Sequence, residues 1–374
     1  MNALSLFSGA GGMDIGIQQA GFNILACIEN DPHCCNTLRH IVEMEQKNTE
    51  ILELDITTVD PQTLLKRFNL AIGELDLLVG GPPCQAFSQI GKQLSILDER
   101  GLLLFEMVRF AQILRPKVVL IEQVKGLLNA KDSKGQKGGV LLSLIEQFEN
   151  LNYRVDWNLI LAADFGVPQL RERVFIVCQQ KSERPFQFPQ PTHRNPQHTN
   201  LFNSHLPIYR TVADALADLG PPESKNKLYF QNNNHIDVTT ERDRERINGV
   251  PEGLWLSSQI NLPKDQLCNL TKKDTTKFRR LAFNAPSLTL RCGEIFFHPT
   301  ENRILTPKEY LRIHGYPDNY ILKGPVRSRS GSVKSLDQHR QVANSVPPPV
   351  AYTLGLQIAK VLECQHYMKS LAIN

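Results

Sequence analysis

The chain has 374 residues, 41% of them hydrophobic and 21% charged, with 42 Lys and Arg against 38 Asp and Glu. That length suits a large domain joined to a smaller one, the composition excludes a disordered chain, and no run approaches the roughly 18 uncharged apolar residues of a membrane span. The charge is uneven: residues 1–180 carry 16 basic against 21 acidic side chains and residues 181–374 carry 26 against 17, which fits a polyanion partner for the second half, although charge alone leaves a chance imbalance equally open.

In chain order, apolar runs at Leu4–Phe7, Ile24–Ile28, Leu77–Val79, Val118–Ile121, Tyr153–Leu161 and Val174–Cys178 read as strands. Helices are expected over Met13–Ala20, Leu102–Leu114 and Val140–Leu151. Strand–helix alternation with continuously apolar strands predicts an α/β fold, with a doubly wound, mostly parallel sheet covered on both faces. The pattern breaks at residues 181–209, where FQFPQPTHRNPQHTN reads as a linker. Residues 210–280 show no period and predict loop-rich structure. Order returns near Pro286–Leu290, and a helix is expected after Pro349, with Val350, Leu354, Ile358 and Leu362 on one face. That helix is expected to cover the first strand, because no helix precedes Leu4. The domains predicted are 1–182, a smaller one over 183–280, and a return segment over 281–374.

The opening residues have no basic leader, so no secretory signal is expected and a cytoplasmic location is. None of the 8 cysteines forms a Cys-x-x-Cys pair, and no His/Cys cluster has zinc spacing, so no metal is expected.

Four segments carry chemistry. LFSGAGGMDIGIQQAGF runs from a strand through Gly9, Gly11 and Gly12 into a helix, letting backbone approach a ligand closely. The spacing is not that of a dinucleotide fingerprint. Glu29, at the tip of the second strand, suits ribose hydroxyls, and Asp55, in LELDIT, suits an adenine amino group. LLVGGPPCQAFSQIG ends a strand in a stiff Gly-Gly-Pro-Pro loop presenting Cys84. A Cys there fits a nucleophile or an inert thiol about equally. VVLIEQVKGLL ends a strand in Glu122, and LAADFGVPQLRERVFIV places Arg171 and Arg173 at i, i+2 in an extended stretch.

Together the ordered blocks FSGAGG, PPCQAFS, EQV, QLRER and VANSVPPP resemble those of bacterial cytosine-C5 DNA methyltransferases of restriction–modification type, from residue 4 to about 357. The resemblance implies transfer of a methyl group from S-adenosyl-L-methionine to carbon 5 of a cytosine. Cys84 would attack C6, Glu122 would act at N3 and Arg173 at O2, with Arg171 supporting the loop. Phe7 would pack on the adenine, and Gly9 and Gly11 would line the methionine part. Glu29 would hold the ribose and Asp55 the adenine amine, with Asn30, Ile56, Pro83 and Asn344 completing the pocket. Residues 1–182 would be the catalytic and cofactor-binding domain and 183–280 the target-recognition domain. The last helix would complete the catalytic domain. Arg279, Arg280 and Arg291 are expected to grip phosphates. The partners implied are double-stranded DNA and a restriction endonuclease, and the chain is expected to be a monomer.

Two positions depart from the family. Ser5 stands where an Asp is usual, and Gln123 where an Asn normally braces the loop of the nucleophile. An RNA-methylating branch shares the blocks but usually carries a Cys-Phe-Thr signature that this sequence lacks.

Overall fold

The computed structural model describes residues 1–83, 99–132, 134–224, 234–260, 277–327 and 335–372, without the side chains of 99–102 and 364–372. The chain divides into two compact units. The first joins residues 1–161, 172–190 and 350–374, and the second joins 162–171 and 191–349.

The first unit is built on a seven-stranded sheet. Its strands are β1 (Asn2–Leu6), β2 (Asn23–Glu29), β3 (Glu50–Glu53), β4 (Leu77–Gly80), β5 (Val118–Val124), β6 (Tyr153–Leu161) and, after the two-residue β7 (Gln169–Leu170) of the second unit, β8 (Glu172–Gln180). Their order is β3-β2-β1-β4-β5-β8-β6. Every pairing from β3 to β5 is parallel, and β8 runs antiparallel between β5 and β6. An apolar run reads the same in either direction, so the reversal of β8 has no sequence signal.

Alternation along the strands divides the core. Leu4 and Leu6, Leu78, Val119 and Ile121, and Val174 and Ile176 share one face with Leu64, Met107, Phe110, Leu144 and Phe148. Those last five come from α3 (Pro61–Arg67), α4 (Glu99–Leu114) and α5 (Gly139–Asn150), after α1 (Gly12–Gln19) and α2 (Pro32–Met44). Two of these helices were not expected. Both α2 and α3 open on Asp-Pro: Asp31 accepts from the amides of His33 and Cys34 at 3.0 Å, and Asp60 from that of Gln62 at 3.0 Å. The Asp caps, and the proline fills the first position, where no amide donor is needed.

The terminal helix, running from Pro348 to Ala372, buries Val350, Leu354, Ile358 and Leu362. It lies against α1, since a Cβ built on Gly355 would fall 2.7 Å from the Cβ of Ala20.

The second unit is irregular. Its helices α6 (Val212–Leu216), α7 (Glu241–Ile247), α8 (Pro307–Ile313) and α9 (Gln338–Asn344) are short, and its strands β9 (Glu223–Ser224), β10 (Ile236–Asp237), β11 (Phe278–Arg280), β12 (Ser287–Leu288) and β13 (Ile295–Phe297) pair two by two. The terminal helix becomes α10 in this numbering. A small apolar cluster of Ile247, Val250, Leu256, Phe297 and Ile304 is supplemented by buried polar pairs. Arg303 donates to both carboxylate oxygens of Glu309 at 2.9 and 2.7 Å, the bidentate geometry that offsets burial of two charges.

Candidate active site

In an open parallel sheet, ligands gather at the carboxyl ends of the strands, and the first unit concentrates its polar side chains there. After β1, Phe7, Gly9 and Gly11 take φ of 54°, 54° and 70°. Glycine adopts this region freely, whereas Phe7 does so at a cost of about 1 kcal/mol or more. A Cβ on Gly9 would meet nothing within 4 Å, so the turn has open space above it.

Glu29 ties that turn to β2. Its Oε2 accepts from the amide of Gly9 at 2.8 Å, and its Oε1 accepts from those of Asn30 and Asp31 at 2.8 Å. Burial raises the Glu29 carboxyl above its ordinary range, and the three amides pull the other way. The amide of Leu54 donates to the carbonyl of Glu29 at 3.0 Å, which brings the end of β3 alongside. Asp55 follows, exposed. Its Oδ1 accepts from the amide and hydroxyl of Thr57 at 2.9 and 2.8 Å. Ile56 is buried, and its carbonyl accepts from Arg109 at 2.8 Å.

Beneath the glycine turn lies a network that the sequence reading missed. Ser5 donates to Asp14 Oδ1 at 2.6 Å and shares a 2.8 Å hydrogen bond with the hydroxyl of Ser8, and the Cys27 thiol faces Asp14 Oδ2 at 3.6 Å. Asp14 is 5% exposed, and burial pushes its carboxyl up to about 6. In place of the Asp expected at position 5, a serine is bonded to a carboxylate on α1. An acid in the first turn of a helix is ordinarily read as a dipole partner, which hides this role.

The end of β5 holds the other cluster. Glu122 is buried, and its Oε1 pairs with Arg173 Nε at 2.9 Å across the β5–β8 ladder. Arg173 also donates to the carbonyl of Glu172 at 2.7 Å. A Cβ on Gly81 would lie 3.4 Å from Glu122 Oε2, so the loop leaving β4 passes directly over the carboxylate. The next strand residue, Gln123, donates to the carbonyl of Pro82 at 2.6 Å. Pro83 is exposed at the end of this described stretch. Cys84 and Gln85 lie outside the described residues.

Residues 1–360 match the sequence family of C-5 cytosine-specific DNA methylases. The chain belongs to this family. Over 226 residues it is 42% identical to the type II methyltransferase M.AquIA of Picosynechococcus, covering 58% of this chain and 88% of that one. It is 35% identical over 376 residues to the type II methyltransferase M.PspPI of Psychrobacter, covering 96% and 79%. A solved structure described as a prophage-encoded DNA modification methyltransferase of E. coli shares the fold at a TM-score of 0.65, with 22% identity over 97% of this chain and 99% of that one.

The remaining expected site residues of this methylase lie in its second unit. Arg171 is 2% exposed and donates to the carbonyls of Ser345 at 2.9 Å and Leu290 at 3.3 Å, a bracing role. Asn344 is exposed, and its Oδ1 accepts from the Cys292 thiol at 2.9 Å. The expectation for Arg280 fails. Its guanidinium is buried and spent on the carbonyls of Val250, His298 and Glu301 at 2.7 to 2.8 Å, so it is a structural strut. Its neighbour Arg279 points to the other side of the strand and stacks over the Trp255 ring at 4.9 Å. Arg291 is exposed and pairs with Glu294 at 3.4 Å. Among the described residues no group of His, Cys, Asp and Glu is placed to hold a metal, and no helix is long and apolar enough to cross a membrane.

Proposed function

We propose that the chain methylates carbon 5 of one cytosine within a short duplex DNA target, as the modification partner of a type II restriction endonuclease. The observation that carries this is the buried Glu122–Arg173 pair beneath the Gly81–Pro83 loop. A carboxyl group and a guanidinium side by side suit the N3 and O2 edge of a cytosine. The next residue along the loop is the proposed nucleophile, Cys84.

The cofactor proposed is S-adenosylmethionine, which supplies an electrophilic methyl group on a sulfonium sulfur. The residues at the strand ends fit it. Glu29 and Asp55 are acceptors at neighbouring strand ends, for ribose hydroxyls and the adenine amine. Phe7 offers a ring for the adenine, and the open space above Gly9, with Gly11 two residues on in the same turn, admits the methionine part. Asn30, Ile56, Pro83 and Asn344 complete the proposed set.

Cytosine stacked in a duplex cannot be attacked at C6, so it must be extruded. The Cys84 thiolate then forms a bond to C6, and the displaced electron pair makes C5 nucleophilic while charge spreads to N3 and O2. Glu122 donates to N3 and Arg173 to O2, stabilising that charge where it develops. Once C5 carries the methyl group, its proton leaves to a base, the C5–C6 double bond re-forms and the thiolate is expelled. Residues 183–280 are proposed to select the target.

The test is expression in a host without cytosine methylation, followed by bisulfite sequencing. One short motif should carry 5-methylcytosine at a fixed position, and exchanging 183–280 for a relative's segment should move the mark. Host DNA without any such mark overturns the proposal.

A further inference from the structure

The segment joining β5 to α5 concentrates lysine. Residues 123–145 hold Lys125, Lys131, Lys134 and Lys137 against one carboxylate, Asp132. Lys125 is already committed, since its ammonium pairs with Glu172 at 2.8 Å. Asp132 is committed to the turn it builds. Its Oδ1 accepts from the amides of Lys134 and Gln136 at 3.0 and 2.8 Å, and its own amide donates to the carbonyl of Gln136 at 3.2 Å. A Cβ on Gly139 would fall 2.5 Å from that carboxylate, so the charge lies against the first turn of α5, where the helix dipole favours it.

The other three lysines are exposed, and none forms an ion pair with a described residue. Lys131 and Lys137 stand opposite each other across an antiparallel bridge, with Lys134 between them in the turn. Like charges directly opposite on such a bridge destabilise it, and a polyanion laid across them turns that repulsion into attraction.

Topology places the cluster. β5 is antiparallel to β8, and β8 to β6, so β5 and β6 run the same way and α5 is the return between them. The turn between β5 and α5 therefore stands at the carboxyl edge of the sheet, the edge that presents Glu122. Counting charge along the chain directs a polyanion to residues 181–374, whereas this cluster belongs wholly to the first unit.

We infer that Lys131, Lys134 and Lys137 form a phosphate-gripping turn through which the first unit itself holds the backbone of duplex DNA. Such contacts position a duplex without reading its sequence. This rests on the DNA reading above and deepens it by naming a surface that takes the substrate. Because the three side chains are exposed, K131Q/K134Q/K137Q keeps the fold.

The probes are a duplex carrying the target mapped by sequencing and a duplex of the same composition in scrambled order, each titrated between about 50 and 200 mM salt. Each phosphate contact adds about 0.9 to the slope of log affinity against log salt, so the triple variant should be shallower by about 2–3. Affinity should fall by the same factor on both duplexes. Affinity for S-adenosylmethionine and the methylation rate at saturating DNA should stay at the parent's values. K131R/K134R/K137R, which keeps the charge, should keep the parent's slope. A slope change of less than about 1, the value of a single contact, overturns the turn's role. A loss confined to the target duplex also overturns it, in favour of base reading, as does a slope change on a stem-loop RNA with none on the duplex. If the parent shows this salt dependence but methylates no cytosine, the function proposal fails while the turn stands. If the parent methylates its target and the Gln variant keeps the parent's slope, the turn fails while the function stands.

Discussion

Gln123 reaches from β5 to the carbonyl of Pro82 at 2.6 Å, so one buried hydrogen bond fixes the loop between β4 and the proposed nucleophile to the strand that carries Glu122. The Gln side chain thus supplies the bracing expected of an Asn at this position. Gln123→Ala would leave the Pro82 carbonyl buried without that donor, at about 1–3 kcal/mol in stability. Methyl transfer should fall on the order of tenfold or more through misplacement of the loop, and Gln123→Asn should retain more activity than Ala. Urea denaturation and single-turnover rates measure the two effects. An Ala variant with the parent's single-turnover rate would show that the bond does not position the loop.

Glu122 and Arg173 face each other at 2.9 Å with little solvent access, so each holds the other in place. Glu122→Gln should cost on the order of 10²-fold or more in rate, as for other groups that move a proton in the transition state. Arg173→Lys keeps the charge but loses the planar fork, and should fall between the parent and Glu122→Gln. A loss below about threefold for Glu122→Gln contradicts the role at N3.

Asp14 makes stability depend on pH in a particular direction. Burial raises its carboxyl from 3.8 to about 6 in the folded protein. The folded state therefore binds the proton more tightly than the unfolded one. The neutral form favours folding below pH 3.8, and this contribution is lost as pH rises through about 6. At 1.36 kcal/mol per unit, the loss is roughly 2–3 kcal/mol. Asp14→Asn should remove it, so the stability of the variant relative to the parent should increase between pH 4 and pH 8. The groups facing Asp14 are Ser5, Cys27, Glu29 and Lys47. Parallel stability–pH curves for the two proteins would show that Asp14 does not titrate as described.

Much of the fold was legible because it rests on local apolar patterns. The strand end at Glu29, the glycine turn, and the buried stripe Val350–Leu354–Ile358–Leu362 all follow from periodicity and composition, whereas β5 continues past Glu122 to Val124. What escaped depends on partners distant in sequence. The Gln123–Pro82 bond spans 41 residues. Ser5 and Asp14 are individually ordinary and form a unit only once α1 folds back over β1. Arg279 and Arg280 read as one basic pair, but strand alternation sends the second inward among carbonyls. The Asp-Pro openings of α2 and α3 were present in the sequence, but the apolar spacing that follows them is too short or too polar to announce a helix.

Gly355 tests the seating of α10. A Cβ there would lie 2.7 Å from that of Ala20 and 3.2 Å from Ile17 Cδ1. Gly355→Val should therefore destabilise by about 1–3 kcal/mol through overpacking, despite the better helix propensity of valine. Because α1 begins at the glycine turn, S-adenosylmethionine affinity measured by calorimetry should fall as well. A Val variant of unchanged stability would place α10 elsewhere.

In the proposed reaction Cys84 bonds to C6 of the target cytosine. A duplex in which 5-fluorocytosine replaces that cytosine traps this bond, since fluorine at C5 cannot leave as a proton does. Incubation with S-adenosylmethionine should trap a one-to-one protein–DNA adduct that survives denaturing electrophoresis, with the DNA attached to the peptide containing Cys84. The Cys84→Ser variant should form none while still binding S-adenosylmethionine. An adduct in that variant, or attachment at another residue, would contradict the account.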